Sequence, residues 1–265
     1  MTNLRGLINF GTICLLCSVF ATSAAAAAAA PSAADLELSK CLDKITKLKQ
    51  SDQGDNDDKV VAANAALMKY LKSICTKPEL INDPLKKADA AGLSIKTSDD
   101  KKVRYYSWDT ETGGTMHFFD ALVVWDAGNN NWKFKDLNPA TKDMGASYVD
   151  LKTVKTNDGQ TVYIAKTLSI GSGMAHGYEI EAMVIKNGNL LKYPFFQTPK
   201  KLLTSIDYSF GQWDDKADIQ YSDNNKTIKI PVIKNDADGN GTPTGKYLIY
   251  EFDGKHYVFN SKKHS

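Results

Sequence analysis

Leu93-Ser94-Ile95-Lys96-Thr97-Ser98-Asp99-Asp100-Lys101-Lys102-Val103-Arg104-Tyr105-Tyr106-Ser107-Trp108 is where the chain changes character. Leu93, Ile95 and Thr97 alternate with Ser94 and Lys96, Val103 and Tyr105 flank Arg104, and Ser98-Asp99-Asp100-Lys101 joins the two runs. Alternation about a polar turn cluster predicts two strands and a tight connection. Period-two segments then recur at 116–125, 132–134, 148–156, 161–170, 178–186, 190–196, 206–210, 219–221, 227–234, 246–252 and 256–260. Between them lie Asn157-Asp158-Gly159, Lys186-Asn187-Gly188-Asn189 and Asp253-Gly254. Such residues supply the positive φ of tight hairpins, and short connections imply antiparallel neighbours in a meander.

Upstream of Leu93 the period is helical. Leu38, Cys41, Leu42, Ile45 and Leu48 recur at three- and four-residue spacings, and the run stops in the turn chemistry of residues 51–56. Asp57 or Asp58 caps a second helix with Val60, Val61, Asn64, Leu67, Met68, Leu71, Ile74 and Cys75 on one face. A short third helix over residues 84–91 ends at Gly92. The expected fold class is α+β, a helical cap before a mainly antiparallel β-meander domain built as a sandwich or an open barrel. Its divisions are a signal peptide over 1–30, a helical segment over 31–92, the β domain over 93–260 and a polar tail over 261–265. A small propeller ranks lower: Trp108-Asp109, Trp125-Asp126 and Trp213-Asp214 show no regular blade interval.

The first thirty residues carry Arg5, an apolar run from Leu7 to Phe20 and the small residues Ala21 to Ala30, the order of a secretory leader with its cleavage region. The apolar run is short for a membrane span, which needs about 20 residues. Export to the periplasm or medium is therefore expected, with no membrane span after cleavage. Removing Cys14 and Cys17 with the leader leaves Cys41 and Cys75, and one disulfide is expected in an oxidising compartment. The geometry is awkward. In a straight hairpin Cys41 faces Leu67, and Cys75 lies about 12 Å further along the axis, beyond the roughly 7 Å that a disulfide spans. The net charge of +2 is spread without a basic stripe, which argues against nucleic acid or an anionic membrane surface as partner.

The most distinctive stretch is Tyr105-Tyr106-Ser107-Trp108-Asp109-Thr110-Glu111-Thr112-Gly113-Gly114-Thr115-Met116-His117-Phe118-Phe119. One reading is a ligand site framed by Tyr106, Trp108, Asp109, Glu111 and His117, since aromatic faces beside acids suit carbohydrate. The reading we favour is a hairpin with a large aromatic core, because aromatic side chains dominate core burial. In it Gly114 holds a positive-φ turn and Glu111 is solvated. The stretch resembles a motif of uncharacterised exported bacterial proteins, Tyr-Ser-Trp-Asp-Thr followed by Gly-Gly-Thr-Met, over residues 95–119. That resemblance implies an exported β-rich fold and no particular activity.

Other constellations are weaker. Asp236, Asp238 and Asn240 start like a calcium loop, but Tyr247 stands where the closing bidentate Glu belongs, so calcium binding is expected to be weak or absent. Ile170-Gly171-Ser172-Gly173 precedes a strand and not a helix, which argues against a dinucleotide loop, and Ser172 lacks a nucleophile elbow. His117 lies near Asp120 in sequence, and His176 near Glu179 and Glu181, without a metalloprotease motif. No pattern calls for a cofactor. The expectation is a non-catalytic binding or structural protein with a carbohydrate as candidate ligand. The alternative is a hydrolase of an extracytoplasmic polymer using scattered carboxylates.

Overall fold

Helix α1 (Ala33–Gln50) begins where the Ser32 hydroxyl accepts the Asp35 amide at 3.0 Å. The Asp35 carboxylate serves a different helix. It is buried, and it accepts the Lys87 amide at 2.9 Å and the Ala88 amide at 2.9 Å, in the first turn of α4 (Lys86–Ala90). Helix α2 (Asp57–Ile74) packs along α1, and α3 (Pro78–Asn82) follows it. The structure is a computed structural model that describes residues 30–51, 57–138, 143–171, 175–211, 214–222, 224–237 and 240–264. The leader up to Ala29, the turn residues 52–56, Ser172–Met174 of the glycine-rich stretch, Trp213, Asp238 and Ser265 lie outside the described residues.

Three sheets follow. The first has the order β1 (Ser94–Thr97), β2 (Val103–Asp109), β3 (Phe119–Asp126), β4 (Trp132–Asp136), all antiparallel. The second sets β5 (Ser147–Lys155), β6 (Thr161–Ile170) and β7 (His176–Lys186) side by side. There β7 also pairs with β8 (Asn189–Lys192) and, further along, with β11 (Ser205–Phe210). The third is a curled half-barrel of order β10 (Leu202–Leu203), β9 (Phe196–Gln197), β15 (Tyr257–His264), β14 (Gly241–Phe252), β13 (Thr227–Asn235), β12 (Gln220–Ser222). Its β15–β9 contact is parallel. The chain is thus α+β with a mainly antiparallel β-rich part.

Strand parity stacks these pieces as four layers. On β2, Tyr106 and Trp108 join Leu122 and Val124 of β3 in a core shared with Leu38, Leu42, Leu67 and Leu71 of the helices. Val103 and Tyr105 point the other way, into a core closed by Tyr163 and Ala165 of β6. On β6, Val162 and Ile164 face away from that core into a third, with Ile228, Ile230, Tyr250 and Tyr257 of the half-barrel. The order is helices, first sheet, second sheet, third sheet. Each fully buried aliphatic side chain contributes about 1.5–3 kcal/mol, so both middle sheets are stabilised from two sides.

Double burial explains polar residues in β2. Arg104 faces the helices, where its guanidinium donates to the carbonyls of Leu80 and, at 2.7 Å, Asp83. Ser107 faces the second sheet, its hydroxyl accepting the Tyr148 amide at 2.8 Å. Among the described residues no helix is long and apolar enough to cross a membrane.

Several expectations need correction. The short helix expected over 84–91 is present as α4, and the structure adds one that was not expected, α3, with Pro78 in its first turn; Leu85, left-handed at φ 45, separates the two. The strand expected from residue 116 begins only at Phe119, because residues 111–118 form a loop. The 190–196 strand breaks after Lys192, so that Phe196 pairs into the third sheet. Strand β15 runs on to His264, through most of the expected polar tail. Cys41 and Cys75, expected as a pair, each stand as a free thiol in the structure. Cys75 directs its sulfur to the Lys72 carbonyl at 3.7 Å within its own helical turn, and Cys41 is half-buried beside Tyr70. Burial pushes the Cys75 thiol up to about 12 and raises that of Cys41 as well.

Candidate functional site

Of the five residues expected to frame a ligand site, two are core. Tyr106 and Trp108 are each 1% exposed under the helices, so neither offers a ring to a ligand. The indole of Trp108 donates to Asn64 Oδ1 at 2.9 Å, while Asn64 Nδ2 donates to the carbonyls of Thr110 at 2.8 Å and Val60 at 2.9 Å. An asparagine in the apolar stripe of α2 thus ties that helix to the end of β2.

Asp109, Glu111 and His117 do come together, at the neck of the 111–117 loop. Thr110 donates its amide to the Phe118 carbonyl at 2.8 Å, and Asp109 Oδ2 bonds His117 Nδ1 across the same neck. Asp109 Oδ1 accepts the Glu111 amide at 2.9 Å. A carboxylate-oriented imidazole is one half of a nucleophile-activating arrangement. Among the described residues no hydroxyl or thiol is hydrogen-bonded to the His117 ring, and the pair acts as a clamp on the loop. The glycine expectation reverses here. Gly114 has no positive φ, and a Cβ there would meet nothing within 4 Å. At Gly113 a Cβ would stand 1.8 Å from the Met116 carbonyl oxygen, and Glu111 takes the left-handed conformation at φ 56.

This clamped loop walls a cleft of about 410 Å³. Thr110, Thr112 and Phe118 form one side, and Val61, Asn64, Ala65 and Met68 of α2 the other. Phe119, Asp120, Asp136 and Asn138 lie between them, and Asp143 is at the edge. Asp120 lies on β3 two residues from Leu122, and Asp136 on β4 lies opposite Leu122, so both carboxylates occupy the helix-facing side of the first sheet. Asp136 is satisfied: Oδ2 meets Lys72 Nζ at 2.6 Å and Oδ1 accepts the Asn138 amide at 3.2 Å. Asp120 is different. Among the described residues its half-buried carboxylate has no hydrogen-bond donor and no ion-pair partner. Burial raises its pKa to about 6, Asp136 adds to the rise, and Lys72 opposes it.

The remaining expected constellations disperse. His117 is paired with Asp109 and not with Asp120. The His176 ring lies 5.4 Å from that of Phe210, tilted by 39°, on the half-barrel side of β7, whereas Glu179 and Glu181, at odd positions, face the other side. Burial raises the Glu179 pKa, and Glu181 pairs with Lys192. Both Asp236 carboxylate oxygens accept from Asn240, at 2.8 and 3.2 Å, closing the β13–β14 connection. Gly171 bonds the Ala175 carbonyl at 2.6 Å in the β6–β7 connection. Among the described residues no group of three or more His, Cys, Asp or Glu is placed to hold a metal ion.

Sequence reasoning missed Asp136, Asn138, Asp143 and the α2 wall. One signal was available: Asp120 interrupts an otherwise apolar run, Phe119-Asp120-Ala121-Leu122-Val123-Val124-Trp125. No protein-family model, no curated protein and no solved structure matches this chain.

Proposed function

We propose that this chain is an exported, non-catalytic binding protein that holds a small ligand in the cleft between α2 and the loop at 111–117. The observation that carries the reading is Asp120, a carboxylate half-buried in an apolar-walled cleft with no donor to it among the described residues. A cleft of about 410 Å³ is in the size range of small-molecule sites, which run roughly 300–1,000 Å³. Val61, 56% exposed, supplies apolar surface that an occupant would cover. A carbohydrate fits only if Phe118 provides the stacking face, since Tyr106 and Trp108 are buried.

Export rests on the leader pattern of residues 1–30 and on the resemblance of residues 95–119 to exported proteins. Intact mass of protein recovered from the envelope or medium should begin between Ala25 and Pro31; a mass that retains Met1 rejects cleavage. Ligand binding is tested by thermal shift across a metabolite panel with the wild type and Ala65→Trp, which fills the cleft. Compounds that stabilise the wild type and not Ala65→Trp are expected, and equal stabilisation of both proteins rejects the site.

A second reading is favoured by one observation. Asp120, with its raised pKa, and Asp136, bonded to Lys72, share one face, and a carboxyl held protonated beside a second carboxylate is the pairing of a general acid and a base. Turnover of a polysaccharide or peptidoglycan, lost in Asp120→Asn, would establish this hydrolase reading in place of the binding one.

A further inference from the structure

Building on that cleft reading, we propose that the ligand is a compact organic cation, a protonated amine on a short apolar or polyol body, whose ammonium group pairs with Asp120. Three carboxylates border the cleft, those of Asp120, Asp136 and Asp143, and among the described residues no cation lines it. Among the described residues the ammonium that acts on Asp120 is that of Lys72 on α2, which is bonded to Asp136 at 2.6 Å. An anionic occupant would meet uncompensated like charge. A neutral hydrophobe would leave Asp120 desolvated and still unpaired, which costs more than leaving it open to water. An ammonium group supplies what is missing, up to three donors and a positive charge, where water is partly displaced by Val61, Ala65, Met68 and Phe118.

The pairing also makes occupancy sensitive to pH. Among the described residues the charged groups acting on Asp120 are Asp136 from β4 and Lys72 from α2, and Asp143 lines the same cleft. The Asp120 pKa is raised to about 6, so its carboxylate is mostly ionised at pH 7.5 and about one-tenth ionised at pH 5. Only the ionised form binds the ammonium, so apparent affinity should fall about tenfold between those pH values. The protein loads at neutral pH and releases on acidification.

Calorimetric titrations of the mature protein with matched pairs test this: cyclohexylamine against cyclohexanol, and glucosamine against glucose, with cyclohexanecarboxylate as the anion. Each amine should bind at least tenfold more tightly than its neutral partner at pH 7.5, and the carboxylate should be weakest. Asp120→Asn should remove that preference and the loss of affinity at pH 5, and Ala65→Trp should abolish binding. Equal binding of amine and alcohol, or amine binding that survives Asp120→Asn, overturns the cation assignment; if Ala65→Trp still blocks that binding, the cleft reading stands. Amine binding unchanged in Ala65→Trp overturns both, and so does the absence of binding by all five probes.

Discussion

Replacing Asn64 by leucine isolates the hydrogen bonds between α2 and the first sheet. Leucine keeps the γ-branched shape of asparagine and is the better helix former by a few tenths of a kcal/mol, so propensity does not destabilise the variant, and the cost of its larger methyl groups is common to both arms of the cycle below. The substitution strands the Trp108 indole N–H and the Thr110 carbonyl, both on buried residues, which lose their partners at 2.9 and 2.8 Å. Each unsatisfied buried group costs about 1–3 kcal/mol. The Thr110 carbonyl borders the cleft and can recover water, which places it at the low end, and the indole, deep under the helix, falls at the high end. The net expectation is a loss of about 2–4 kcal/mol. For a chain of this size that lowers Tm by roughly 5–15 °C. Thermal melts and urea unfolding with an unchanged m-value should show it. The decisive measurement is the cycle with Trp108→Phe, which removes the stranded donor. Trp108→Phe should cost about 1–2 kcal/mol less in the Asn64→Leu background than in the wild type. Equal costs in the two backgrounds, or an Asn64→Leu Tm within about 2 °C of wild type, would refute the reasoning.

Gly113→Ala should destabilise by about 1–3 kcal/mol, because its Cβ would stand 1.8 Å from a backbone oxygen. Gly114→Ala should stay within about 0.5 kcal/mol in the same urea titrations. Glu111→Val should cost about 1–2 kcal/mol, since a β-branched residue resists the left-handed conformation at φ 56. Asp120 sets a pH dependence whose sign follows from a folded pKa of about 6 above the ordinary 3.8: the folded state binds the proton more tightly, so stability falls as pH rises from about 4 to about 6. Asp120→Asn should remove that decline and, with solvent screening of a group this exposed allowed for, be more stable than wild type at pH 7.5 by about 1–2 kcal/mol, read from urea unfolding at the two pH values. The buried Cys75 thiol, at about 12, and the raised Cys41 thiol should react slowly with Ellman's reagent in native protein and release two equivalents on denaturation. A denatured sample that yields none would restore the disulfide.

The change of period at Leu93 was legible because it depends only on neighbours along the chain, and the helices and most strands lie where local pattern places them. The layering was not legible, and β2 shows why. Val103 to Trp108 carries Arg104 on one face and Ser107 on the other, residue types that in isolation suit a solvent-facing position. Both are buried, and their partners are the carbonyls of Leu80 and Asp83 and the amide of Tyr148, far away in the chain. Local alternation cannot distinguish a polar residue facing water from one whose hydrogen bonds are made by another layer. Aromatic residues could be read both ways: Tyr106 and Trp108, weighed as a binding platform and favoured as core, are core, while the Phe118 and Asp120 that follow line the cleft. The discriminating quantity is satisfaction. The Arg104 guanidinium NH2 groups, Ser107 and Asn64 have partners supplied by the fold, and among the described acids on the helix-facing side of the first sheet Asp120 is the one without a partner. Folding therefore accounts for the first three residues and not for Asp120, whose position costs stability at neutral pH. A residue that destabilises its own fold, and lines a cleft beside an exposed apolar side chain, is where a function requiring that carboxylate has its strongest structural support.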